Sequence, residues 1–250
     1  MIWIIGGTSE ALKIRDELLG LGKKMVLSTT TSYGSKLSEH QGVILVQKML
    51  QATDMLALID EYSIDLLIDA SHPFALQVSK NAIAACRQKK IPYLRFERKN
   101  IRYDNARYYP SYESLIAALR QTQGNIFLTI GSKNVNLFSV LDIERLTARV
   151  LPDENSIALC RKAGLLPHQI IAMKGRMKQE TNKALFVEYE TKHLISKDSG
   201  ESGGMNEKVK AADELGILVH IIERPALDYD EKYSDIQSLR ERLLRSRKND

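Results

Sequence analysis

Short apolar runs, each closed by glycine, hydroxyl or acidic residues and most followed by a helical pattern, recur along this chain almost from end to end. Ile2 to Ile5 ends at Gly6-Gly7. Ser9 to Leu21 then carries apolar residues at helical spacing until Gly22 stops it. Lys24 to Leu27, Val43 to Val46, Leu66 to Ile68 and Pro92 to Phe96 read as further strands, with helices over Thr53 to Tyr62 and Phe74 to Gln88. After Asn105 the pattern restarts. Strands are expected at Ile126 to Ile130, Arg149 to Leu151, Ile170 to Met173, Leu194 to Ser196 and, last, Leu218 to Ile222. Helices are expected over Ser111 to Leu119, Val135 to Val140, Asn155 to Ala163, Asn182 to Tyr189, Gly204 to Leu215 and Ser238 to Arg245. Strands that alternate with helices make parallel sheets with crossover helices.

Nearly ten strands are many for one open sheet. The polar, irregular stretch from Lys99 to Asn105 suits a linker, so two α/β domains are expected, 1–98 and 99–250, with a ligand cleft between them. The final helix is free to pack on either domain. Hydrophobic residues make up 44% and charged residues 27% of the 250, values that suit packed cores and exclude a disordered or fibrous chain. No apolar run approaches the roughly 20 residues that span a bilayer. The opening segment lacks a basic leader and reads as a strand, so a cytoplasmic protein is expected. The two cysteines, Cys86 and Cys160, sit in apolar helical contexts and make neither a disulfide framework nor a zinc site. No other metal-ligand set is visible. The net charge of +5 suits a phosphate-bearing or carboxylate-bearing partner, while no nucleic-acid module is present. The basic run from Arg240 to Lys248 has Leu239, Leu243 and Leu244 at helical spacing and reads as a solvated terminal helix.

Four segments carry the chemistry. Gly6-Gly7-Thr8-Ser9 lies between a strand and a helix, where a dinucleotide-binding turn belongs; Thr8 and Ser9 are equally suited to capping the helix. The ribose-binding acid expected after the second strand is replaced by hydroxyls, Thr30 among them. Asp69-Ala70-Ser71-His72-Pro73-Phe74 is the second segment. Pro73 suits a first helical position, Asp69 or Ser71 a cap, and His72 a donor to a ligand or a proton relay. The third is Thr129-Ile130-Gly131-Ser132-Lys133-Asn134, with a lysine at a helix start, as an anion site requires. The fourth, Ser196-Lys197-Asp198-Ser199-Gly200 with Gly203-Gly204 and Lys208, has more glycines than a plain turn needs and reads as a ligand loop.

Taken with Tyr93-Leu94-Arg95-Phe96-Glu97-Arg98, Arg149-Val150-Leu151-Pro152 and Glu223-Arg224-Pro225, these segments resemble, in order and across nearly the whole chain, the precorrin-6A and cobalt-precorrin-6A reductases of corrin biosynthesis. The chain departs from that family at Gly175-Arg176-Met177, where Gly-Pro-Phe is usual, and at Lys99, where proline is common. The resemblance implies two Rossmann-like domains and NADPH or NADH as hydride donor. It implies a soluble enzyme that reduces one double bond of a many-carboxylate tetrapyrrole, giving precorrin-6B or its cobalt form, in transient contact with other enzymes of the pathway. Any metal would arrive with the substrate. The expected cofactor contacts are Gly6, Gly7, Thr8, Ser9, Thr30, Ser71, Pro73, Gly131, Ser132 and Lys133. The expected substrate contacts are Arg149, Asp198, Ser199, Gly200 and Lys208. Sequence alone does not divide these loops between cofactor and macrocycle. His72, Lys197 and a bound water all remain as proton donors. Alternatives are a nicotinamide enzyme acting on another acidic substrate, and a non-catalytic tetrapyrrole carrier or dinucleotide sensor. Anion-type loops in both halves favour an enzyme that brings two ligands together.

Overall fold

The computed structural model describes residues 1–199 and 204–245. The chain divides into two compact units, Met1–Lys99 with Pro225–Asp250, and Asn100–Arg224. In chain order the strands are β1 (Ile2–Ile5), β2 (Met25–Thr29), β3 (Val43–Gln47), β4 (Leu66–Asp69), β5 (Tyr93–Phe96), β6 (Ala106–Tyr109), β7 (Asn125–Thr129), β8 (Leu146–Val150), β9 (Ile170–Ala172), β10 (Thr191–Lys197), β11 (Leu218–Ile222) and β12 (Glu231–Tyr233). The α-helices are α1 (Ser9–Gly20), α2 (Ser32–Ser38), α3 (Ala52–Glu61), α4 (Leu76–Lys89), α5 (Tyr112–Leu119), α6 (Glu154–Lys162), α7 (Gln179–Glu188), α8 (Met205–Glu214) and α9 (Ile236–Arg245).

Each unit holds one six-stranded parallel sheet. The first runs β3-β2-β1-β4-β5-β12 and the second β9-β8-β7-β10-β11-β6. Both follow the order of a Rossmann sheet, three strands one way from the centre and three the other. The sixth strand of the first sheet comes from the far end of the chain, and that of the second precedes its five companions in sequence. The expected domain 99–250 therefore ends at Arg224, and Leu218–Ile222 is not the last strand. The last three-residue strand, β12, pairs with β5 in the first unit.

Burial explains the arrangement. All four residues of the central strand β1 are buried, as suits a strand covered on both faces. Trp3 faces the side of α3 and α4, and its indole N–H donates to Ser28 Oγ at 2.9 Å, so its one polar atom is satisfied. Ile2 and Ile4 pack with Ile14 and Leu18 of α1 and with Leu239 and Leu243 of α9. Those two leucines draw the terminal helix onto the first unit. In the second unit Phe127, Leu194, Val219 and Ile221 lie under Phe186 of α7 and Val209 and Ala212 of α8. Among the described residues no helix is long and apolar enough to cross a membrane.

Candidate active site

In each sheet the crossovers leave in opposite directions on either side of the central strand. Open α/β sheets bind ligands at that point, outside the carboxyl ends of the strands. It lies between β1 and β4 in the first unit and between β7 and β10 in the second. All four segments singled out in the sequence reach these two edges.

In the first unit Gly6 donates its N–H to Ser28 O at 2.8 Å, and a Cβ there would meet Leu27 Cδ2 at 2.9 Å. Glycine is needed at this position so that the turn can lie against β2. Gly7 has φ +99° and open space around it, so its backbone is exposed to whatever binds at this edge. Thr8 is the helix cap. Its hydroxyl accepts from Ala11 N–H at 3.2 Å and donates to Ala70 O at 2.7 Å across the switch point, which commits both roles. The exposed Ser9 donates to Glu10, and the buried Glu10 pairs with Arg98 at 2.8 Å. A resident carboxylate thus already sits in the first turn of α1. Thr30 is exposed at the end of β2, while its neighbour Thr31 caps α2.

The β4 corner differs from its expected form. Helix α4 starts at Leu76 with no side-chain cap, so Pro73 lies in the preceding turn and not at the first helical position. Asp69 does not cap the helix because its carboxylate is taken up in the core. It accepts from Ser71 N–H (2.9 Å), Ser79 Oγ (2.6 Å) and Tyr93 OH (2.7 Å), and pairs with Arg95 at 2.9 Å. His72 Nδ1 accepts from Phe74 N–H at 3.2 Å. That bond makes His72 a neutral ring with its proton on Nε2, able to donate a hydrogen bond but not to act as an imidazolium acid while the bond lasts.

In the second unit Ser196 is paired with Thr129, and Thr129 and Arg149 directly follow the paired residues Leu128 and Ala148. Ser196, Thr129 and Arg149 therefore form a polar row on one face of the sheet. The helices α7 and α8 roof it. Lys208 of α8 donates to Ser196 Oγ at 2.9 Å and Thr129 Oγ1 at 3.4 Å, and Arg149 donates to Asn182 Oδ1 of α7 at 2.8 Å. Lys208 is 4% and Arg149 7% exposed, and among the described residues neither is paired with a carboxylate. Burial pushes Lys208 down to about 7, helped by Arg149, and Arg149 down to about 10. Lys197, at the end of β10, is held at about 8 by burial and by the charge of Lys133.

The neighbouring loops are mostly occupied by their own bonds. Ser132 Oγ bonds Ser156, whose hydroxyl donates to Asp153, and Ser132–Val140 forms a 3₁₀ helix that starts from Gly131 at φ +80°. Asp198 is buried and pairs with Arg224 at 3.2 Å. Ser199 donates its N–H to Lys197 O at 2.7 Å, while Gly200 and Gly203 lie outside the described residues.

The family model for precorrin-6x reductase CbiJ/CobK matches residues 1–243. The chain belongs to the precorrin-6x reductase family. It is 40% identical over 243 residues to the cobalt-precorrin-6A reductase of Methanocaldococcus jannaschii, covering 94% of this chain and 95% of that one. It is 33% identical over 245 residues to the cobalt-precorrin-6A reductase of Priestia megaterium, covering 96% of each. A solved structure of the CobK precorrin-6A reductase superposes with a TM-score of 0.79 at 25% identity, over 98% of this chain and 96% of that one. This reductase is thus an oxidoreductase of cobalamin biosynthesis that acts on a carbon–carbon double bond of a corrin precursor.

Five polar participants of the reductase's two edges had no individual role in the sequence reading, although four of them lie in the segments quoted from it. Thr129, Ser196 and Asn182 line the cationic row, and Arg95 and Glu97 hold the β4 corner. The signal available for Arg95 and Glu97 was their period-two spacing with charge on one side of an otherwise apolar strand.

Proposed function

We propose that this reductase adds a hydride and a proton across one double bond of cobalt-precorrin-6A to give cobalt-precorrin-6B, with NADPH or NADH as hydride donor, in the cytoplasm. The observation that carries this reading is the pair of buried cations, Lys208 and Arg149, on the polar row of the second sheet, neither in an ion pair with a carboxylate among the described residues. A buried cation without a counter-ion costs on the order of several kcal/mol, and a bound anion offsets that cost. A many-carboxylate macrocycle and a dinucleotide are both anionic ligands that suit such an edge. The cobalt form is favoured because the relatives 40% and 33% identical are named for it.

The residues present fit a nicotinamide dinucleotide. Gly7 offers open backbone at a positive φ, Thr30 an exposed hydroxyl, and Gly131-Ser132-Lys133 a cation and N–H groups beside β7. Gly7 and Thr30 would hold the cofactor at the edge of the first unit. Arg149 and Lys208 would hold carboxylates of the macrocycle by charge-assisted hydrogen bonds. When bound, the nicotinamide supplies hydride. Lys197 is the better proton donor of the two side chains proposed. Its ammonium, at about 8, is charged near neutral pH and releases a proton readily, whereas His72 spends Nδ1 on Phe74.

The test is anaerobic spectrophotometry with cobalt-precorrin-6A and its metal-free form, each with NADPH and with NADH. Loss of nicotinamide absorbance together with a shift of the macrocycle spectrum, fastest for the cobalt form, is expected. Macrocycle binding with no dinucleotide oxidised in any combination would overturn the reading and leave a carrier.

A further inference from the structure

Asp69, Arg95 and Glu97 form a buried network in the first unit. Arg95 is 1% exposed, pairs with Asp69 at 2.9 Å and with Glu97 at 3.2 Å, and donates from Nη1 to Ser71 Oγ at 3.2 Å. The backbone of Ser71 is tied to the same network, since its N–H donates to Asp69 Oδ1 at 2.9 Å. A hydroxyl has one proton to give. With Arg95 donating to it, Ser71 Oγ is fixed as an acceptor on its inner side, and its own proton finds no acceptor among the described residues. Ser71 lines a small cavity at the carboxyl edge with Thr8, Glu10, Pro73 and Arg98.

The segment that returns from the second unit completes the network. The Tyr229 ring stacks on Tyr93 and lies 5.6 Å from the Arg95 guanidinium carbon. Lys232 Nζ reaches Glu97 Oε1 at 3.3 Å, and Tyr233 O accepts the Glu97 N–H at 2.8 Å. Packing a Rossmann sheet requires none of this, because a buried ion pair stabilises a fold no better than apolar residues of similar size. The charges here also cancel: Asp69 and Glu97 face Arg95 and Lys232, and Glu10 faces Arg98. The edge is thus electrostatically even, in contrast with the cationic row of the second unit.

We propose that Arg95 is a positioning residue that holds Ser71 as a fixed hydrogen-bond donor to an uncharged oxygen of the dinucleotide, an amide or ribose oxygen, with Tyr229 and Lys232 of the returning segment as the clamp on Arg95. This rests on the reading that a dinucleotide is the hydride donor. An even edge suits a neutral acceptor, whereas carboxylates of the macrocycle go to unpaired cations.

Equilibrium titration of the intact protein with NADPH alone, NADH alone and cobalt-precorrin-6A alone tests it. Ser71→Ala is expected to weaken the dinucleotide about three- to tenfold, as for loss of one neutral hydrogen bond, and to leave macrocycle affinity and thermal midpoint nearly unchanged. Lys232→Met, on a half-exposed side chain, is expected to act in the same direction more weakly and to add nothing when combined with Ser71→Ala. Arg95→Lys covers the case in which larger changes at Arg95 prevent folding. Its dinucleotide affinity should fall, and again not further in the Ser71→Ala background. Unchanged dinucleotide affinity in Ser71→Ala, or weakened macrocycle affinity instead, overturns the proposal while turnover by the wild type keeps the parent reading intact. A wild type that binds no dinucleotide overturns both.

Discussion

Lys208 spends its charge against the fold. An ammonium roofing Thr129 and Ser196 with Arg149 nearby and no carboxylate partner among the described residues is held at about 7, well below the usual lysine range. Because the folded value is depressed, this group's contribution to stability is complete only above the unfolded lysine range and is lost as pH falls toward about 7. An anion reverses the balance by favouring the charged form. Macrocycle affinity should therefore fall as pH rises from 7 to 9, by up to about tenfold per unit, with proton uptake on binding seen as buffer-dependent heat in calorimetry. Flat affinity across that range would mean the row does not bind the carboxylates. Lys208→Met should keep or raise the thermal midpoint while kcat/KM falls by roughly a hundredfold, the pattern expected when a buried charge serves a ligand. A second buried chain gives a pH limit of another kind. Tyr109 OH bonds His220 Nδ1, His220 Nε2 bonds His193 Nδ1, and His193 Nε2 donates to Gln123 O. With both rings neutral the chain is satisfied as Tyr109 OH to His220 Nδ1, His220 Nε2–H to His193 Nδ1 and His193 Nε2–H to Gln123 O, and burial, with His193 and Arg107, holds His220 down at about 4. Stability should decline as pH drops from about 6.5 toward 4, by at most about 3 kcal/mol from His220, and His220→Gln should flatten the decline in urea titrations. An unchanged slope would show that another group sets acid stability.

At the scale of elements, α9 and β12 belong to the first unit although they close the sequence. Leu239 is 1% exposed among Ile14 and Leu18, so Leu239→Ala should cost about 2–5 kcal/mol in denaturant unfolding. A cost below about 1 kcal/mol would mean that α9 is not part of that core. The strands and helices around the two switch points were legible because each combines an apolar run with a glycine or acidic stop and a helix of period 3.6. Others were not. Strand β12 is Glu231-Lys232-Tyr233, three residues with no apolar alternation to mark a strand. Helix α2 is built from Ser32, Tyr33, Gly34 and Ser35 onward, weak helix formers that read as a hydroxyl-rich loop. Strand β6 falls just after the stretch that reads as a linker. The burial of Lys208 was equally hidden. The sequence marks Lys208 as a ligand contact beside a glycine-rich loop, and only the three-strand row beneath it shows why its ammonium points inward. Asp69 misled in the opposite way: an acid before a helix reads as a cap, but its partners Tyr93 and Arg95 come from a strand about 25 residues later, beyond any local pattern.

For the whole molecule, the modest net charge of +5 hides two different edges. In the first unit the buried charges balance in pairs. In the second, among the described residues, Lys208 and Arg149 make no ion pair with a carboxylate. Evenness suits the orientation of neutral groups, and excess positive charge suits the capture of an anionic macrocycle. In the proposed reaction hydride passes from a nicotinamide to a ring carbon while this protein orients the reactants and supplies a proton. The most direct measurement is anaerobic turnover of cobalt-precorrin-6A with dinucleotide deuterated at either face of nicotinamide C4, followed by mass spectrometry of the product. Deuterium from one face only is expected on carbon in the reduced macrocycle. Reduced product without deuterium from either face, or dinucleotide left unoxidised while the macrocycle is bound, would contradict it.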